Sequence, residues 1–160
     1  MTVVIVREDL LERTPSDSHS MLSYRIHAEK GSTFNTPPVF SIYMLKLVTR
    51  WLLEEIGGLD KMERINREKA NLLYDAIDQS DGFYLGHAEA SCRSSMNVTW
   101  TLKDESLQQP FIDGAKKQDL LELKGHRSVG GFRASIYNAM PPAGVQALVD
   151  FMNEFAQKNG

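Results

Sequence analysis

Between Val39 and Ile56 the chain carries Phe40, Ile42, Tyr43, Met44, Leu45, Leu47, Val48, Trp51, Leu52 and Leu53, with few polar residues among them. Wound into a helix, these residues are apolar on every side, which leaves too little polar surface for one face to meet water. Any fold must therefore bury this segment in a core or cover it at an interface. The flanking residues predict its limits. Thr36 is a good N-cap and Pro37 suits the first helical position, whereas Gly57-Gly58 is a usual way for a helix to stop. A length of 160 residues suits one domain with a substantial core. With 42% hydrophobic and 24% charged residues, the composition is that of a folded globular protein rather than a disordered one.

Upstream, Thr2-Val3-Val4-Ile5-Val6 is a β-branched run, the pattern of a strand buried on both faces of a mostly parallel sheet. One such strand needs partners, so it reads as the last strand of a larger α/β domain. Residues 7–34 mix charges with Pro15, Ser16, Ser18, Ser20, Gly31 and Ser32 and hold one short candidate strand at Tyr24-Arg25-Ile26. A connection of that length is either an active-site or subunit contact or simply flexible.

Downstream, Asp60 and Glu63 have capping-box spacing, and Met62, Ile65, Leu72, Leu73, Ala76 and Ile77 form one apolar helical stripe. Asp60 with Arg64 and Glu63 with Arg67 are expected ion pairs on solvated faces. At Met96 the period changes to two: Met96, Val98, Trp100 and Leu102 alternate with Asn97, Thr99 and Thr101, as in a half-buried strand. Residues 108–118 read as a short helix opened by Pro110, Leu120–Lys124 as a strand, and Phe132–Tyr137 as its partner. Pro142 opens a last helix with Val145, Leu148, Val149, Met152 and Phe155 on its stripe. The expected class is α/β, ending in a small α+β domain with a mainly antiparallel sheet and packed helices.

A net charge of −3 argues against a general nucleic-acid binder. The single cysteine, Cys92, excludes an internal disulfide and suits a reducing, cytoplasmic setting. No apolar run approaches the roughly 20 residues that span a bilayer, and no leader pattern opens the chain, so no membrane partner is expected. His19, His27 and His87 lack metal-ligand spacing. Positive charge is instead concentrated in His126, Arg127 and Arg133, placed about Gly130-Gly131. Glycines permit sharp turns and close approach, and guanidinium groups match carboxylate or phosphate in pairs of hydrogen bonds. That is the pattern of an anion site, although a glycine turn between two strands with exposed arginines would read similarly. If Phe132, Ala134 and Ile136 face the helices, Arg133 projects with Ser135 and Tyr137 from the other face, at the edge of a cleft.

The stretch Leu123–Pro141 closely resembles the C-terminal signature of the phosphoserine aminotransferase family, pyridoxal-phosphate enzymes of the type I fold. Asn35-Thr36-Pro37-Pro38 with the helix bearing Tyr43 and Trp51 resembles that family's entry into its C-terminal domain. Asn66, Lys69-Ala70, Arg93-Ser94, Met96-Asn97-Val98 and Gly144-Val145 follow in family order.

The resemblance implies that residues 1–34 end a large cofactor domain, residues 35–80 form connecting helices with cofactor and subunit contacts, and residues 81–160 form the small domain. It implies a homodimer that uses pyridoxal 5'-phosphate to convert 3-phosphohydroxypyruvate and glutamate into O-phosphoserine and 2-oxoglutarate, in cytoplasmic serine and pyridoxine biosynthesis. It assigns His126 and Arg127 to the phosphorylated end of the substrate and Arg133 to its α-carboxylate. Asn35 and Thr36 are assigned to the cofactor phosphate of the opposite subunit. The family's cofactor-bearing lysine has no counterpart here, so no catalytic residue is assigned and the chain alone is expected to be inactive. Gln118-Asp119 stands where the family usually has a glycine at a helix end. The competing reading is a non-catalytic module that dimerises through the 39–56 helix.

Overall fold

Proline and glycine set the helix boundaries more firmly than the side-chain caps that the sequence suggests. The computed structural model describes residues 1–160, which divide into two compact units, Met1–Glu55 and Ile56–Gly160. The first holds helices α1 (Glu8–Glu12), α2 (Tyr24–Glu29) and α3 (Val39–Trp51). Pro38, not Thr36, is the N-cap residue of α3, and no side chain caps it. Two consecutive prolines keep the preceding residues out of helical geometry, so the helix starts only after them.

One strand expectation fails in this unit, and another has no partner strand among these residues. Thr2–Val6 is irregular and mostly exposed, with Ile5 97% accessible, because β-branched residues form a strand only where another strand accepts their backbone bonds. Tyr24-Arg25-Ile26 opens α2 instead, capped by Ser23, whose hydroxyl accepts from the Ile26 N–H at 3.4 Å. Arg25 then donates to the carbonyls of Leu11, Glu12 and Thr14 at 3.1–3.2 Å, satisfying the end of α1. Part of the stretch read as loop is thus ordered by helix caps. No residue of α3 is buried. After a π-helical turn, Leu52–Ile56, the chain reaches Gly57 and Gly58, both at positive φ.

The second unit begins with α4 (Leu59–Asp78), whose N-cap is Gly58 rather than Asp60. The Glu63–Arg67 pair forms at 2.5 Å, whereas Asp60 and Arg64 make no ion pair. Strand β1 (Tyr84–Gly86) pairs antiparallel with β2 (Asn97–Leu102). A short helix, α5 (Gln108–Lys116), precedes β3 (Phe132–Ser135), and α6 (Pro142–Asn159) closes the unit. The sheet order is β1-β2-β3. Phe132–Ser135 therefore pairs with β2, in the register Thr99↔Arg133 and Trp100↔Phe132.

The partner expected at Leu120–Lys124 is reduced to a single Lys124↔Phe132 bridge. Its backbone cannot run straight, because Asp119 and Glu122 both sit at φ +59°. Side-chain alternation explains the core. Val98, Trp100, Leu102, Phe132 and Ala134 are buried toward α4, α5 and α6, while Thr99, Thr101, Arg133 and Ser135 occupy the other face. Phe111 is fully buried at the centre, with ring centroids 4.6 Å from Phe132 and 4.9 Å from Phe151.

One buried group is a cation. Lys69 of α4 has no solvent exposure and donates to the carbonyls of Ile136 and Tyr137 at 2.9 Å and of Met140 at 3.0 Å. These bonds fix the chain as it leaves β3, and burial lowers the ammonium pKa from its ordinary value.

Candidate functional site

The site is assembled on the sheet face away from the helices. Register places Arg133 beside Thr99, and the next pair brings Phe132 beside Trp100. Because Arg133 alternates with buried Phe132 and Ala134, its side chain leaves the core and lies half-buried. It makes no ion pair within the chain, and its buried Nε–H has no acceptor. A buried donor without a partner costs free energy, and a guanidinium so placed has the chemistry to receive an anion.

The loop before β3 is closed by glycines. The Gly125 N–H donates to the Gly131 carbonyl at 2.8 Å, and a Cβ on Gly125 would run into the Gly130 carbonyl oxygen. Gly131 has φ +61°, and a Cβ there would lie 2.6 Å from the Trp100 carbonyl oxygen. Neither position accepts another residue without moving the loop. Within the turn, the His126 carbonyl accepts from Val129 and Gly130 at 2.9 and 2.8 Å.

His126 and Arg133 line one cavity of about 110 Å³, together with His87, Thr99, Thr101 and the loop glycines. Arg127 does not line it; its side chain is exposed and makes no hydrogen bond or ion pair. Asn35 and Thr36 belong to the other unit, in the exposed stretch before α3, and their side chains are also without partners. The contiguous sequence motif thus yields two residues on a common cavity and one beside them on the loop.

The profile of the aminotransferase class-V family matches residues 1–148. The chain belongs to this family. Among curated relatives of this class-V chain, the phosphoserine aminotransferase of Desulfosudis oleivorans is 57% identical over 158 residues, covering 99% of this chain and 44% of that protein. The enzyme of the same name from Acidithiobacillus ferrooxidans is 52% identical over 160 residues, again 44% of its length. The chain therefore spans less than half the length of these relatives. Among solved structures, the phosphoserine aminotransferase of Bacillus circulans subsp. alkalophilus superposes with a TM-score of 0.89 at 48% identity, over 97% of this chain and 43% of that one. A pyridoxal-phosphate-bound phosphoserine aminotransferase from Trichomonas vaginalis gives 0.81 at 39% identity, covering 92% and 42%.

Three cavity residues of this class-V chain escaped sequence reasoning as site residues. Thr99 and Thr101 were visible as the outward half of an alternating strand, but alternation does not say which outward residues meet a ligand. His87 carried no signal. It reaches the cavity because the β1–β2 pairing continues past Gly86, where the His87 N–H approaches the Thr99 carbonyl at 3.5 Å. Cys92 lies in a 3-10 turn and is exposed.

Proposed function

We propose that this chain forms the substrate-gripping part of a phosphoserine aminotransferase, interconverting 3-phosphohydroxypyruvate and glutamate with O-phosphoserine and 2-oxoglutarate. The observation that carries this reading is Arg133, half-buried, free of any internal carboxylate and sharing a cavity with His126. In it, Arg133 binds the α-carboxylate of each substrate with two parallel hydrogen bonds, a geometry lysine cannot offer. His126, with Arg127 from the exposed loop, takes the phosphate that only the phosphorylated substrates carry.

Pyridoxal 5'-phosphate, when bound, supplies the electron sink and the temporary carrier of the amino group. Asn35 and Thr36 fit its phosphate by donor chemistry, since amide and hydroxyl stand unpartnered ahead of a helix whose N-cap lacks a side-chain bond. No lysine in this chain matches the segment that carries the cofactor, and buried Lys69 is fully engaged by carbonyls.

The same reading has residues 1–34 end the cofactor domain, residues 35–80 supply cofactor and subunit contacts, and residues 81–160 form the small domain. The exposed apolar surface of α3 supports a homodimer. An exposed free thiol at Cys92 suits the cytoplasm, and no helix is long and apolar enough to cross a membrane.

The test is a chimera in which this chain replaces the matching segment of the Bacillus enzyme. It is expected to bind cofactor and to transfer the amino group between O-phosphoserine and 2-oxoglutarate, whereas the chain alone is expected to transfer none. A folded, cofactor-bearing chimera that accepts unphosphorylated serine as well as phosphoserine would sink this assignment.

A further inference from the structure

This inference rests on the reading of His126 as a phosphate ligand and concerns what prepares it for that role. The backbone N–H of Ser128 points at His126 Nδ1 at 3.3 Å, and the Ser128 hydroxyl lies 2.7 Å from the same nitrogen. A backbone N–H can only donate, so Nδ1 must accept. A neutral imidazole has one donor and one acceptor nitrogen, which leaves the proton on Nε2.

We propose that Ser128 is a positioning residue that locks His126 as the Nε2–H tautomer and fixes its ring plane, so that the free nitrogen meets phosphate as a donor. The opposite tautomer would set the Nε2 lone pair against oxygens that only accept. The turn supplies the rigidity this requires. The His126 carbonyl is held by the Val129 and Gly130 N–H groups, and the loop is closed by the 2.8 Å bond from Gly125 to Gly131. With the backbone so pinned, only the ring torsions remain free, and the bonds from Ser128 remove them. Ser128 itself is exposed and does not line the cavity, so it acts through His126.

The test is nitrogen NMR of the full chain carrying labelled histidine, at a pH of about 9, where imidazoles are neutral, with His126 assigned from a His126→Gln variant. The wild type is expected to show His126 entirely as Nε2–H. Ser128→Ala loses the 2.7 Å hydroxyl contact that holds the ring against the long 3.3 Å backbone donor. The freed ring should turn away from that donor and admit the other tautomer, and Ser128→Thr should restore the wild-type spectrum. On titration with O-phosphoserine the Nε2 resonance should move, with L-serine leaving it still. Ser128→Ala should weaken that response by about five- to tenfold in apparent Kd, the loss of one hydrogen bond's worth of ordering. An unchanged imidazole spectrum in Ser128→Ala overturns the positioning role whatever the ligand. Equal responses to phosphoserine and serine overturn the phosphate reading of His126, and the purpose assigned to the tautomer falls with it.

Discussion

Lys69 shows how one side chain can hold a site that it never touches. Its ammonium satisfies three carbonyls that follow β3, the strand bearing Arg133. Lys69→Met keeps the volume but leaves those acceptors dry, and each unsatisfied buried group costs roughly 1–3 kcal/mol. A loss of at least about 3 kcal/mol is expected in urea unfolding of the Ile56–Gly160 unit. A loss below about 1 kcal/mol would mean that water replaces the ammonium.

Asp119 runs the other way. The bonds from Asp119 to Lys116 and from Leu120 to Ala115 close α5 in a Schellman turn, with a non-glycine residue at φ +59°. Asp119→Gly should relieve that strain and stabilise the unit by about 1 kcal/mol, read as a higher denaturation midpoint with an unchanged slope.

Asp78 gives a pH signature. The Arg93 guanidinium, bonded to both its oxygens at 2.6 Å, holds its carboxyl below the usual range. A depressed carboxylate stabilises fully above its unfolded value and loses that contribution as pH falls through the folded one. Asp78→Asn should therefore cost stability at neutral pH and progressively less below about pH 4. With the carboxylate half-exposed, the neutral-pH cost is expected to stay within about 1 kcal/mol.

At the scale of elements, the sequence was legible where a helix or strand buries one face in the second unit. The stripe of α4, the alternation of β2 and the Pro142 start of α6 all match, because each periodicity is paid for by contact with the same aromatic core. It misled at Leu120–Lys124, where an apolar run had no straight neighbour to pair with, while Thr2–Val6, read as a strand of a larger sheet, has no partner strand among these residues. Pairing is a property of two segments, and neither run carries its partner in its own pattern. The same distinction divides the site. His126 and Arg133 were readable because one glycine-closed loop and one strand hold them seven residues apart, whereas His87 comes from a strand pairing that no local motif announces.

Gly131 is where the loop and sheet depend on each other most. Gly131→Ala adds a Cβ against the Trp100 carbonyl and keeps a positive φ. A cost of about 2 kcal/mol or more is expected. Amide exchange should quicken at Gly125, whose bond to Gly131 closes the loop. Protection unchanged at Gly125 would show that the loop is closed by something else.

For the whole molecule, the governing fact is the helix that finds no cover. Phe40, Met44 and Val48 share one face of α3 at four-residue spacing, and their exposures are 76%, 43% and 47%. Val39, Tyr43 and Leu47 are exposed beside them. An apolar surface of this extent exceeds what monomers usually leave in water, so the chain is expected to associate with itself. Phe40→Glu combined with Val48→Glu tests this, because both side chains are already solvent-exposed and their loss removes no internal packing. Leaving two such side chains uncovered costs about 3 kcal/mol or more, which weakens association by roughly a hundredfold. Sedimentation velocity should show wild-type chain growing in size with concentration and the double variant staying monomeric over the same range. Helical circular dichroism and the melting of the Ile56–Gly160 unit should be alike in the two proteins, which separates lost association from lost folding. A wild-type chain that remains monomeric at every concentration would mean that α3 tolerates water, and the homodimer would lose its physical support.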